Sequence, residues 1–271
     1  MASNPGIFCK FVAQRINKDK EMNTRSFFSM IPPVTKNLII INFIVWLAML
    51  VLPQRLDMNI ESFGMLHYFR APDFNPAQLL TYMFMHSTQS AAHLFFNMFT
   101  LFMFGVTLER TLGSMRFLFY YISCGIGAAL VQELVWALTW ENTFVPMLAN
   151  ANHVSYEEIR QAISQAMNDG EELPFLNLLG TIGASGAVYG VLLAFGMLFP
   201  NRPLYLMFVP VPIKAKWMVI GYGVIELLIG LGNARGATDG VAHFAHLGGM
   251  IFGFIMIYYW KKKGMVHGDE F

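Results

Sequence analysis

Ser185 stands at the start of an apolar stretch, in Gly183-Ala184-Ser185-Gly186-Ala187-Val188-Tyr189-Gly190, and His246 starts another, in His246-Leu247-Gly248-Gly249. A third apolar stretch carries His93 and Asn97, four residues apart and so on one helix face. Serine is a poor nucleophile at neutral pH unless a neighbouring base takes its proton. An imidazole can act as that base near neutral pH. Polar groups of this kind are costly inside lipid and point to function there. Together the four side chains read as a nucleophile, a base and two polar donors, which is the equipment for serine protease chemistry within a bilayer.

The elements that must position these groups are helices. At the N-terminus of its helix, the Ser185 N–H has no intrahelical acceptor and lies at the positive end of the dipole, where an oxyanion would be stabilised. Tyr189 follows four residues on, one turn along the same face. Gly186 and Gly190 form a small-residue face, and Gly249 and Gly253 form another three and seven residues after His246. Such faces permit close helix contact. Each pair taken alone reads as ordinary packing, and a lone His93–Asn97 pair as mutual satisfaction. Serine at one helix mouth and histidine at the other tip the reading to catalysis.

The bulk properties agree. Of 271 residues, 55% are hydrophobic and 13% charged, and the mean hydropathy is +0.48, values that argue against a soluble domain. A formal charge of +1 points to no nucleic-acid partner. Cys9 lies in a polar region and Cys124 in an apolar one, which argues against a disulfide between them. A span needs about 20 apolar residues. Six stretches approach this: Asn37–Leu52, Ala91–Leu108, Met115–Thr139, Leu178–Phe199, Trp217–Leu231 and Val241–Trp260. The first and fifth are short and are expected to extend into their flanks. Residues 1–36 carry scattered basic residues without an apolar run, so the first span is read as a retained anchor.

Of the 18 basic residues, all but Arg55, Arg70, Arg160 and Arg235 fall on one side if the N-terminus is inside. The positive-inside rule then puts both termini in the cytoplasm. The chain divides into a cytoplasmic segment 1–36, a six-span core 37–260 and a cytoplasmic tail 261–271. Two extracytoplasmic stretches stand out. Pro53–Ser90 is too apolar for a free loop and too interrupted to span, so it is expected to lie at the interface. Residues 140–177 read as a solvated, acidic insertion, with a helix over Tyr156–Met167 that Ser155 and Glu158 can cap.

Other candidates receive structural readings. His243 precedes His246 by three residues, on nearly the same face, and either could serve as the base. Glu133 and Glu226 are carboxylates within spans, functional suspects by position, but neither is assigned a catalytic role. His86 is read as ordering the first loop. His67 and His153 fall in the outer segments, and His267 in the tail. A metal site built from His86, His93, His243 and His246 lacks both an HExxH motif and an evident carboxylate. All the aspartates, at 19, 57, 73, 169, 239 and 269, fall outside the spans, which excludes aspartyl chemistry there.

Four motifs now carry a resemblance. His93-Leu-Phe-Phe-Asn97, Glu109-Arg110-Thr-Leu-Gly113, Gly183-Ala-Ser185-Gly186 with Tyr189, and Ala245-His246-Leu-Gly-Gly249-x-x-x-Gly253 occur in this order along the chain. The chain from about Lys36 to Trp260 resembles the rhomboid family of intramembrane serine proteases. The resemblance implies an all-α, rhomboid-like six-transmembrane bundle. It makes Ser185 the nucleophile and His246 the base of a dyad with no third acid. His93, Asn97 and the Ser185 N–H become the oxyanion hole, Tyr189 a support stacked on the histidine, and Glu109-Arg110 a brace for the first outer loop. The implied substrates are transmembrane segments of other proteins, cut near the extracytoplasmic side, with membrane lipid as the other partner and no cofactor, metal or nucleic acid. The insertion at 140–177 is a departure from the family pattern. A compact six-span form fits a bacterial inner membrane. The alternatives are an inactive relative that binds and escorts transmembrane helices and, with less in its favour, a transporter, for which no inverted repeat is evident.

Overall fold

A computed structural model describes residues 30–56, 60–205, 211–233 and 241–268. Cys9, the basic residues Lys10 to Arg25, Arg235 and the aspartates at 19, 57, 239 and 269 lie outside these described residues, with whatever was expected of them.

Among the described residues the chain is mostly helical, as uninterrupted apolar sequence requires where backbone groups must be satisfied internally. Helix α1 is Pro33–Leu56, followed by a one-turn α2 at Ile60–Gly64, strand β1 at Leu66–His67 and a short α3 at Gln78–Thr81. Next come α4 at Ala91–Thr100 and α5 at Val106–Leu112, joined through a π-helical turn at Leu101–Gly105. Helix α6 covers Ser114–Asn152 and α7 Tyr156–Asn168. Strand β2 at Gly180–Thr181 leads to α8 at Ser185–Leu198, strands β3 (Pro203–Leu204) and β4 (Ile213–Lys214), α9 at Ala215–Asn233 and α10 at His243–Lys262.

Among the described residues, four helical stretches are long and apolar enough to cross a bilayer: Pro33–Arg55, Ala91–Leu112, Ser114–Asn152 and Ala215–Gly232. The first and fourth of these extend the two short sequence stretches into their flanks, as expected. Helix α8 is apolar but has 14 residues, and α10 has 20. The all-α description needs one amendment, since β1 pairs with β2 and β3 with β4 as two-residue antiparallel ladders.

The core lies where α6, α8 and α10 meet, and glycine sets how closely. A Cβ on Gly249 would sit 1.8 Å from the Gly186 carbonyl oxygen, so the backbones of α8 and α10 touch there. A Cβ on Gly253 would instead sit 2.3 Å from the Tyr120 hydroxyl on α6. The two small-residue faces therefore meet only in part, and α6 fills the rest of the seam.

One expectation for the outer segments changes. The third span continues past Thr139 to Asn152, because Trp140, Phe144, Val145 and Ala149 recur at helical spacing and all are buried. Phe175 packs on Trp140 and Phe144, with ring centroids 6.3 and 5.2 Å away. Residues 140–177 thus pack along one side, through Trp140, Phe144, Ile163, Phe175 and Leu176, while most of Asn150 to Glu172 stays exposed, as expected of a solvated insertion. The capping box expected of α7 is present: the Glu158 N–H donates to Ser155 Oγ at 3.2 Å, and the Ser155 N–H to Glu158 Oε2 at 2.7 Å.

The stretch 60–90 folds against the bundle. Gln78 holds it together, accepting from the His67 N–H at 3.1 Å and donating to the Phe63 and Asp73 carbonyls. Glu133 on α6 accepts from the Phe69 N–H at 2.9 Å. Glu109 and Arg110 act elsewhere than the first loop. Glu109 accepts from the Val34 and Thr35 N–H groups at 2.9 and 2.7 Å, from Thr35 Oγ1 at 2.8 Å and from Ser114 Oγ at 2.6 Å, while Arg110 donates to the Met30 carbonyl at 2.7 Å. They clasp the beginning of α1, where helix N–H groups lack internal acceptors.

Candidate active site

Ser185 is the first residue of α8. The turn before it is pinned from two directions. Leu66 and His67 pair with Thr181 and Gly180, and the Gly183 N–H donates to the Tyr82 carbonyl at 3.0 Å. Gly183 has φ of +133°, a value that L side chains rarely adopt. A Cβ there would also lie 2.9 Å from His93 Nε2. Glycine is therefore required both for the turn and for His93 to come beside the serine.

His246 Nε2 lies 2.7 Å from Ser185 Oγ. The His246 ring stacks on Tyr189, with centroids 4.3 Å apart and planes 7° from parallel. Between the two histidines expected to compete for the serine, His246 is the one in hydrogen-bond contact with it.

The other face of the cluster was not legible beforehand. Glu226, on α9, accepts at Oε2 from His246 Nδ1 at 2.9 Å and from His243 Nδ1 at 2.6 Å. Tyr189 donates its hydroxyl proton to Oε1. Glu226, His243 and His246 are 7%, 6% and 8% exposed, so the network is largely buried. His243 shares one carboxylate oxygen with His246. The only advance signal was a carboxylate inside a span. Sequence separation hides that α9 turns it towards α10.

Both histidine tautomers follow from their partners. A carboxylate only accepts, so the proton of His246 sits on Nδ1 and Nε2 offers a lone pair to the Ser185 hydroxyl. The Ser87 N–H donates to His93 Nδ1 at 3.3 Å, which leaves the proton of His93 on Nε2. His93 and Ser185 line one cavity of about 610 Å³ together with Tyr82, Gly183, Ala245 and His246. Asn97 does not line it. Its amide donates to the His93 carbonyl, one turn back, at 2.9 Å.

His86 lies beside His93, with ring centroids 5.0 Å apart and planes tilted by 59°, and is buried. Burial, and secondarily the neighbouring His93, pull its pKa down from 6.5 to about 3, so it is neutral. Donor atoms of Glu226, His243 and His246 lie within 4.8 Å of one another and could hold a metal ion, a group the sequence did not suggest. Their N···O separations are those of charge-assisted hydrogen bonds, which account for the arrangement without an ion.

This geometry can deprotonate a serine hydroxyl and offer N–H groups to the oxyanion its attack would create. Comparison with known proteins bears on the family. A family model described as a rhomboid domain matches residues 74–263. Over 177 residues, or 65% of the chain, the sequence is 29% identical to a yeast protein (Saccharomyces cerevisiae) named as mitochondrial rhomboid protein 1, and the match covers 40% of that relative. The chain thus spans less than two thirds of the relative's length.

Proposed function

The chain belongs to the rhomboid family and is an integral membrane protein, and on that basis we propose that it is an intramembrane serine endopeptidase in which Ser185 attacks and His246 is the base. The observation that carries the reading is the 2.7 Å contact between Ser185 Oγ and His246 Nε2 beside a cavity that His93 also lines. In the six-span form, α8 and α10 join the four longer helical stretches, and both termini are cytoplasmic.

The reaction starts from a substrate transmembrane segment, whose peptide bonds are protected by helical hydrogen bonds until the helix frays. As Ser185 Oγ bonds to the carbonyl carbon, its proton moves to His246 Nε2 and the carbonyl electron pair becomes the oxyanion. The Ser185 N–H and His93 Nε2–H donate to that oxygen. Asn97 adds a donor by releasing the His93 carbonyl when substrate binds. His246 then returns the proton to the leaving nitrogen as the C–N bond breaks. Water, deprotonated by the same imidazole, hydrolyses the acyl-enzyme and restores Ser185. Tyr189 keeps the ring in plane with its stack. No cofactor or metal enters the scheme, and the partners are membrane-protein substrates and lipid.

The membrane is proposed to be a bacterial inner membrane on the compact six-span form alone. The relative's name places that protein in the mitochondrion, so fractionation of a tagged chain decides the compartment.

Fluorophosphonate labelling of the purified full chain in detergent tests the chemistry, read by intact mass. One adduct is expected on wild type and none on Ser185→Ala or His246→Ala. Adduct on Ser185→Ala would remove Ser185 as the nucleophile. A folded wild type that never labels and never cuts a transmembrane reporter would favour the escort of membrane helices, the reading left for an inactive member of the fold.

A further inference from the structure

We infer that Glu226 is the positioning residue of the Ser185–His246 pair, holding the His246 imidazole in the tautomer and plane that present Nε2 to Ser185 and stabilising the imidazolium that forms on proton transfer. This rests on the protease reading above and extends its dyad to a serine–histidine–carboxylate triad.

His246 has two ring nitrogens, and both are committed: Nε2 to Ser185 Oγ at 2.7 Å and Nδ1 to Glu226 Oε2 at 2.9 Å. An imidazole held only by stacking on Tyr189 could flip or carry its proton on Nε2, which would disarm the base. An acceptor fixed at Nδ1 prevents both, which is the job the acid performs in serine–histidine–aspartate sites. The acid does not take the proton; the positive charge stays on the imidazole, beside a carboxylate.

The carboxylate is itself held in place. Tyr189 occupies Oε1, and His243 shares Oε2 at 2.6 Å. Three donors from two other helices therefore fix its position across the α8–α9–α10 junction. Tyr189 belongs to both halves, its ring stacked on the base and its hydroxyl anchored to the acid. A carboxylate serving only as helix glue would have no reason to meet the base at the nitrogen opposite the nucleophile. Burial strengthens the effect, since charges interact more strongly away from water.

The test measures fluorophosphonate labelling rates on the full-length protein in detergent, separating the maximal rate from the half-saturating concentration. Glu226→Gln keeps the volume but offers an amide, and its maximal rate is expected to fall by about 10²- to 10⁴-fold, as when a triad acid is made an amide. Half-saturation should stay unchanged. Glu226→Asp, which keeps the charge, should recover at least about tenfold of that loss. Tyr189→Phe keeps the stack and frees Oε1, and should slow labelling by several-fold with the same half-saturation. Should Glu226→Gln fail to fold, as read by thermal unfolding, Glu226→Asp and Tyr189→Phe decide the matter. Wild-type maximal rates in the folded Glu226 variants, or in Tyr189→Phe where that variant decides, would overturn the inference. A Ser185→Ala control that remains unlabelled would show that the protease reading survives such a result. Labelling that persists in Ser185→Ala would overturn the protease reading first, and this inference with it.

Discussion

Glu109 and Glu226 are both carboxylates buried to within a few per cent, yet they are satisfied by different kinds of donor. Glu109 accepts from two backbone N–H groups and two hydroxyls, none of which titrates near neutral pH. It functions as a cap supplied from α5 to the start of α1. Glu226 accepts from two imidazoles and a phenol, groups that exchange protons and line up with a serine. The same residue type, equally buried, joins helices at one place and equips a reaction at the other. What separates the two is the chemistry of the donors, because fixed donors can only hold a charge, whereas titratable ones let that charge respond to proton transfer.

Substitutions at the two carboxylates put this contrast at risk. The largest effect is the slowing of fluorophosphonate labelling in Glu226→Gln, with the thermal midpoint expected to change little beside it. Glu109→Ala should do the opposite. It leaves the buried Thr35 donors and the partly buried Val34 N–H without an acceptor, at a cost of about 3 kcal/mol. Thermal unfolding should register that cost, while the labelling rate of the folded fraction stays near wild type. A Glu109 variant that is stable but unreactive would erase the distinction.

Asn97 tests which class a helix-bound amide belongs to. Asn97→Ala should lower turnover of a transmembrane reporter by up to about 10²-fold if the amide joins the oxyanion donors. An unchanged rate with lower stability would place it with Glu109.

The smallest effect concerns His86. Its pKa lies below the ordinary value of 6.5, at about 3, so the unfolded chain binds a proton more readily than the folded one. Its contribution to stability is complete above pH 6.5 and is lost progressively as pH falls towards 3. His86→Gln should flatten that part of the melting-temperature profile. A profile identical to wild type would assign the acid sensitivity to other groups.

Much of this protein could be read from its residues in order. Periodic and continuous apolar runs located the helices that carry the site, since a buried backbone has few alternatives to a helix. Short-range chemistry was equally plain: Ser155 and Glu158 cap α7 because the motif is complete within four residues. The nucleophile and base candidates stood out as polar groups at the mouths of apolar helices. Where reading failed, the cause was long-range contact. The continuation of α6 to Asn152 depends on Phe175 packing against it from beyond α7, and the clasp of Glu109 depends on where α1 starts in space.

Residue order settled the inventory: apolar helices, the small-residue faces of α8 and α10, and a serine and a histidine at two helix starts. These are properties of neighbours along the chain, set by local propensity and spacing. The couplings came from packing in three dimensions. It chose His246 over His243 for the serine, split the glycine contacts of α10 between α8 and α6, and brought Glu226 from α9 to the nitrogen opposite Ser185. Helix rotation governs each of these choices. A turn of about 100° per residue moves a side chain from one neighbour to another, and only packing of all the helices together sets that rotation.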